Sequence, residues 1–138
     1  MSTFAVTNPN TGEVEQTFDS LTPEEIAEVI DTADRAFQDW KETPVSKRGE
    51  VLKAFADLVE GKASELADLI GKEMGKPKKQ GEAEVKKVAF TARWFAENSE
   101  KFLEDTQLPD AQGADQTYVK HDPLGVLLLS LIHISEPT

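Results

Sequence analysis

Thr117–Leu129, TYVKHDPLGVLLL, is the stretch that decides how this chain is read. TYVKH alternates polar and apolar residues, the period-two pattern of a half-buried strand expected over about 116–121. Asp122 to Gly125 carries the residues of a tight turn. Val126 to Leu129 is then apolar without a break, the pattern of a strand buried on both faces. Such strands belong to parallel sheets, which need crossover helices and neighbouring strands. No such element follows in SLIHISEPT, so the sheet is expected to be larger than this sequence supplies.

Upstream the sequence is helical. In LTPEEIAEVIDTADRAFQDW (21–40), Thr22 can cap, Pro23 fits the first helical position and Glu25 completes a capping box. Ile26, Val29, Ile30, Ala33, Phe37 and Trp40 recur along one face, with Glu24, Glu28, Asp31, Asp34 and Arg35 opposite. A second helix opens at Thr43-Pro44 with Val51, Leu52, Phe55, Leu58 and Val59 on its face. Gly61 weakens it, Leu66, Leu69, Ile70 and Met74 continue the face, and Gly75 and Pro77 end it. A third, from Gln80 to Leu103, presents Val85, Val88, Ala92, Phe95 and Phe102 as its core stripe. EDTQLPDAQGADQ (104–116) reads as a polar linker without periodicity. At the N-terminus, FAV and VEQTF flank TNPNTGE, which predicts a short hairpin that must pack on something to be stable.

Composition narrows the function classes. The 138 residues suffice for one domain with a core. A formal net charge of −11 argues against a nucleic-acid or anionic-membrane surface. There is no cysteine, hence no disulfide, thiolate metal site or thiol nucleophile within these residues. The N-terminal residues lack a basic then apolar leader, and the longest apolar run is far short of the roughly 20 residues of a membrane span. A soluble cytoplasmic chain is the expectation, with no nucleic-acid and no membrane partner.

The tempting motifs have plain readings. GKEMGK (71–76) has one residue too few between its glycines for a phosphate loop, Pro77 follows Lys76, and a helix precedes it, so it reads as a helix stop. KKVAFTARWFAENSEKF (86–102) mixes basic and aromatic residues as single-strand binders do, but acids are interspersed and Phe95 and Phe102 fall on the core stripe. Glu24-Glu25 and Glu82-Glu84 lie near helix starts, where carboxylates complement the dipole. His121 and His133 have no Cys or acidic cluster at ligand spacing, so no metal site is expected. On motif chemistry alone no catalytic, cofactor-binding or metal residue is named.

Taken in order, TNPNTGEV, RGEVLKAFADLVE, LIGKEMGKP, EVKKVAFTARWFAEN and YVKHDPLGVLL resemble the N-terminal portion of NAD(P)-dependent aldehyde dehydrogenases. The flavour is that of the succinate-semialdehyde dehydrogenase-like branch. The resemblance runs from Phe4 to Leu128 and implies an α/β parent fold with a Rossmann-like cofactor domain, a catalytic domain and an oligomerisation arm. It makes residues 1–128 the N-terminal part of such an enzyme, a mostly α-helical fragment with a short N-terminal hairpin and C-terminal strands. Tyr118–His121 would contribute an arm strand to a homo-oligomer, and Val126 onward the first strand of the cofactor sheet. It further implies NAD or NADP as cofactor of the parent, not bound by this fragment, and a small aldehyde as substrate. In the family a Cys attacks the aldehyde, hydride passes to the nicotinamide and water releases the thioester. The Cys, the Glu base, the cofactor loop and the Pro-Trp-Asn motif are absent from these residues, so the fragment is expected to be inactive by itself. Lys87 and Thr91 match the helix that borders the substrate entrance in relatives, against a reading in which both simply face solvent.

After Leu128 the resemblance stops. Leu129–Thr138, LSLIHISEPT, reads as the translation of a transposase mosaic end and sequencing adapter. That stretch is expected to be non-biological, and Ser130, His133 and Glu136 are not assembled into a site. The competing reading is a complete small acidic helical interaction module without catalysis. The uncovered apolar run VLLLSLI stands against it.

Overall fold

The computed structural model describes residues 3–109, 113 and 115–129; the expectations for Ser130 to Thr138 lie outside the described residues. In chain order the elements are β1 (Thr3–Thr7), β2 (Val14–Asp19), α1 (Pro23–Trp40), α2 (Val45–Gly61), α3 (Ala63–Met74), α4 (Lys78–Phe102), β3 (Thr106–Gln107) and β4 (Tyr118–Val119). They divide into two units, one of residues 1–20 and 44–104, the other of residues 21–43 and 105–138.

In the first unit, β1 and β2 form the expected antiparallel hairpin, with a bulge where Val6 pairs with Gln16 and Thr7 with Val14. Its turn is built on Asn8, which is buried. The Asn8 side chain accepts from the Asn10 backbone N–H at 2.9 Å and donates to Glu15 Oε1 at 2.6 Å. Asn10 Nδ2 donates to the carbonyl of Gly71 at 3.3 Å, and Pro9 lies against Gly75. The hairpin therefore leans its turn on the C-terminal end of α3. Gly75 ends that helix in the left-handed region (φ 68°), confirming the helix stop read in GKEMGK.

The segment from Thr43 to Pro77 folds as two helices. Lys62 leaves helical geometry (φ −103°, ψ 16°) directly after Gly61, so the weak point in the sequence is a break. α4 packs on both products of that break. Its inward residues are Gly81, Val85, Ala89 and Ala92, opposite Ala56 of α2 and Ala63 and Ala67 of α3. Leu52 and Val59 pack around the Ala56–Ala89–Ala92 cluster.

The described core is thus made of small side chains, and this corrects the expected stripe of α4. Val85 and Ala92 are buried, but Val88, Phe95 and Phe102 are about half exposed, at 45%, 51% and 56%. Small residues bring helix axes close, and a close approach leaves no room for phenylalanines between them. Phe95 and Phe102 gather instead around Trp94, with ring centroids at 5.2 and 5.5 Å.

In the second unit, α1 starts with the expected capping box: Glu25 N–H donates to Thr22 Oγ1 at 3.2 Å, and Thr22 N–H to Glu25 Oε2 at 2.7 Å. These bonds satisfy backbone donors that a helix start leaves open. No residue of α1 is buried. Gly125 and Val126 line a groove of about 410 Å³ with Ala33, Ala36, Phe37 and Trp40.

Three expectations for the C-terminal part are corrected. The stretch 104–116 is not wholly a linker, because Thr106–Gln107 pairs antiparallel with Tyr118–Val119 and Leu108 N–H donates to Thr117 O at 2.8 Å. The strand expected over 116–121 is accordingly short and leaves out Lys120 and His121. Asp122–Gly125 forms no hydrogen-bonded turn, and Val126–Leu129 forms no strand, since none of the described residues pairs with it. A strand is defined by its neighbour, and an apolar pattern cannot supply one. Leu124 and Leu128 are 90% and 92% exposed.

Candidate functional site

α4 carries the candidate site. The left-handed Gly75 and then Pro77, the extended N-cap residue, set its start, because Pro is accepted at a helix entrance but not in a helix interior. From there 25 residues run without interruption. Gly81, Val85, Ala89 and Ala92 fall on the side facing α2 and α3. Glu84, Lys87, Val88, Thr91 and Phe95 follow at three- and four-residue steps along an adjacent stripe, which places them on one face.

That stripe, with Ala92, lines an open groove of about 430 Å³. The structure brings Lys87 and Thr91 together one helical turn apart at this groove. Both are exposed, so the entrance and solvent-facing readings are both compatible with where they stand. Val88, Ala92 and Phe95 give the groove an apolar floor. Sequence reasoning assigned these three to the core stripe and missed them as groove residues; the signal was their position directly beside Lys87 and Thr91 at helical spacing.

Charge is distributed unevenly around it. Glu84 is ion-paired with Lys76. Lys78 Nζ is 2.8 Å from Asp68 Oδ1 of α3. Further along, Arg93 reaches α2 and donates to Asp57 Oδ1 at 2.7 Å and Glu60 Oε2 at 2.6 Å. The hydrogen bond to Asp57, then that to Glu60, hold its guanidinium above the ordinary arginine value. Lys87 has no ion-pair or hydrogen-bond partner among the described residues.

The other sequence candidates are placed plainly. Glu25 closes the cap of α1 and His121 is exposed. Among the described residues no group of three or more His, Cys, Asp or Glu could hold a metal ion. No described helix is long and apolar enough to cross a membrane. A dinucleotide is held where a glycine-rich turn joins a strand to a helix N-terminus. The described left-handed glycines stand elsewhere: Gly12 in the hairpin turn, Gly75 at a helix end, Gly113 and Gly125 in loops. Among the described residues no glycine turn of this kind joins a strand to a helix N-terminus.

Comparison with known proteins gives a consistent result. The model of the aldehyde dehydrogenase family matches residues 1–130. Succinate-semialdehyde dehydrogenase (NADP(+)) of Deinococcus radiodurans is 39% identical over 125 residues, which is 91% of this chain and 26% of that protein. The solved structure of Gox0499, studied for its cofactor and substrate selection, superposes with a TM-score of 0.84 at 30% identity, over 90% of this chain and 27% of the other. Succinic semialdehyde dehydrogenase of Streptococcus pyogenes, solved with NADP+, gives a TM-score of 0.77 at 28% identity, over 83% of this chain and 25% of the other. The chain spans about a quarter of the length of these relatives.

Proposed function

The chain belongs to the aldehyde dehydrogenase family, and from that premise we propose that it forms the N-terminal portion of an oxidoreductase that converts an aldehyde to the carboxylic acid. Succinate semialdehyde is the proposed substrate and NADP the proposed cofactor, after the relatives named for them. The observation that carries this reading is the family match over residues 1–130, together with the superposition on solved succinic semialdehyde dehydrogenase over 83% of the chain.

The exposed apolar faces support it. Ile26, Val29 and Ile30 of α1 and Val51 and Leu58 of α2 are each roughly half exposed, more apolar surface than an isolated helical domain leaves uncovered. Further polypeptide of the same enzyme is the proposed cover. The sequence has no cysteine, so the thiol that attacks the aldehyde would come from that further polypeptide, as would the cofactor loop. The proposed tasks of the present residues are to frame the cofactor domain and, at Lys87 and Thr91, to border the substrate entrance. Val126 onward, unpaired among the described residues, is proposed to become the first strand of the cofactor sheet only where that further polypeptide supplies its neighbours. Tyr118–His121 is proposed as an arm strand in a homo-oligomer, its two paired residues being joined to β3 along one edge.

The test has two steps. The native locus is sequenced across the codons for Val126 to Leu129 with a library free of transposase adapter, and the complete open reading frame is expressed. Reduction of NADP in the presence of succinate semialdehyde is the expected result. A full-length product that oxidises no aldehyde overturns the proposal.

A further inference from the structure

We propose that the groove α1 forms with Gly125 and Val126 is a seat built before the sheet it serves, and that its occupant is the polypeptide continuing beyond Leu128, laid on the α1 stripe as β-strands. This rests on the dehydrogenase reading above and names the segment that covers α1 and the place where its docking begins.

Val126 already stands at α1, in one groove with Ala33, Ala36, Phe37 and Trp40, although none of the described residues pairs with it as a strand. Helix contact is present where strand pairing is not. Gly125 holds φ at 104°, in the left-handed region, and a Cβ there would meet nothing within 4 Å. Glycine serves here for the course of the backbone as it enters the groove, and not for space. No residue of α1 is buried, so its stripe is still to be covered. Ala33 and Ala36 let a strand backbone approach closely, and Phe37 and Trp40 offer apolar area beside it. Pairings in a parallel sheet are distant in sequence and slow to form. A first strand already held on a helix lowers the cost of closing those loops.

Other occupants fit this face less well. Amphipathic helices that lie on lipid carry Lys and Arg on the polar face, whereas that of α1 carries Glu24, Glu28, Asp31 and Asp34. A second copy would compete with a segment tethered through Leu128 to a residue already in the groove, at an effective concentration on the order of millimolar. The chain matches 26% of the Deinococcus relative, which leaves ample polypeptide for such strands.

The test places thiols on α1, since the sequence has no cysteine of its own. Ala36 lies in the groove, and Asp31 is exposed on the opposite face of the helix. In the 138-residue chain, Ala36→Cys with Val126→Cys is expected to be joined by a short bis-maleimide about tenfold more than Asp31→Cys with Val126→Cys. Equal yields overturn the preformed seat. In the complete enzyme, expressed from the native reading frame, the thiol of Ala36→Cys is expected to react with maleimide about a hundredfold more slowly than in the 138-residue chain, while that of Asp31→Cys reacts alike in both. The labelled peptide is identified by mass, and Ala33→Cys repeats the measurement at a second groove position. Unslowed labelling overturns the docking. Slowing that depends on enzyme concentration identifies a second copy and overturns the assigned occupant. Aldehyde oxidation is measured on the same preparations and on the wild type. An active enzyme with an unprotected thiol overturns the docking alone, and a wild type that oxidises no aldehyde overturns the dehydrogenase reading.

Discussion

Gly49, in the second turn of α2, lies so close to Ala96 of α4 that a Cβ added to it would stand 3.0 Å from the Ala96 carbonyl oxygen. Gly81 of α4 makes the same kind of approach to Ala67 of α3, at 3.1 Å from its Cα. Helices that meet backbone to backbone leave only small residues between them. The Ala56–Ala89–Ala92 cluster is the outcome.

The first prediction contrasts two glycines of one helix. Gly49→Ala gains helix propensity of about 1 kcal/mol but pushes on backbone that cannot yield cheaply, at a cost of about 1–3 kcal/mol. Net destabilisation is expected. At Gly61 a Cβ would meet nothing within 4 Å, so Gly61→Ala is expected to be neutral or to stabilise by up to about 1 kcal/mol. Thermal unfolding followed by circular dichroism gives the two signs, and equal signs would refute the close-approach account.

Enlarging the alanine core tests the same contact from its centre. Ala89 is fully buried. Ala89→Leu is expected to cost about 1–3 kcal/mol by forcing α2 and α4 apart, whereas Ala54→Leu on the exposed side should stay within about 0.5 kcal/mol. Denaturant midpoints measured side by side decide it.

Arg93 ties α4 to α2 through two carboxylates, so losing the guanidinium should matter more than losing either acid. Arg93→Gln is expected to lower the unfolding midpoint more than Asp57→Asn, which leaves the Glu60 contact in place. Because these contacts raise the arginine's pKa, their contribution is fully present below its ordinary value and is lost only as pH climbs through the raised one. Between neutrality and about pH 10, the wild-type to Arg93→Gln difference should therefore hold constant, while added salt should reduce it.

The cap of α1 is the easiest local feature to remove. Thr22→Ala deletes the oxygen that accepts from Glu25 N–H and is expected to destabilise the start of α1 by about 1 kcal/mol, with Thr22→Ser nearly silent. Amide hydrogen exchange at Glu25 and Ile26 reads the effect directly. Unchanged protection in Thr22→Ala would show that the cap is not what holds this terminus.

Much of the architecture was legible in the sequence because it is local chemistry. The box at Thr22 and Glu25, the stop at Gly75 and Pro77 and the turn on Asn8 each depend on residues a few positions apart. Lys87 and Thr91 could be paired for the same reason, being four residues apart on a helix. The spacing of apolar residues established that helices exist, but it could not say which apolar residues would be covered. That was decided when Gly49, Gly81 and the alanines drew α2, α3 and α4 together and left Val88 and Phe95 to line a groove. The pairing of Thr106–Gln107 with Tyr118–Val119 and the absence of a strand over Val126–Leu129 were tertiary decisions too. A strand exists only with a hydrogen-bonding neighbour, and the choice of neighbour is made across distances that no local pattern encodes.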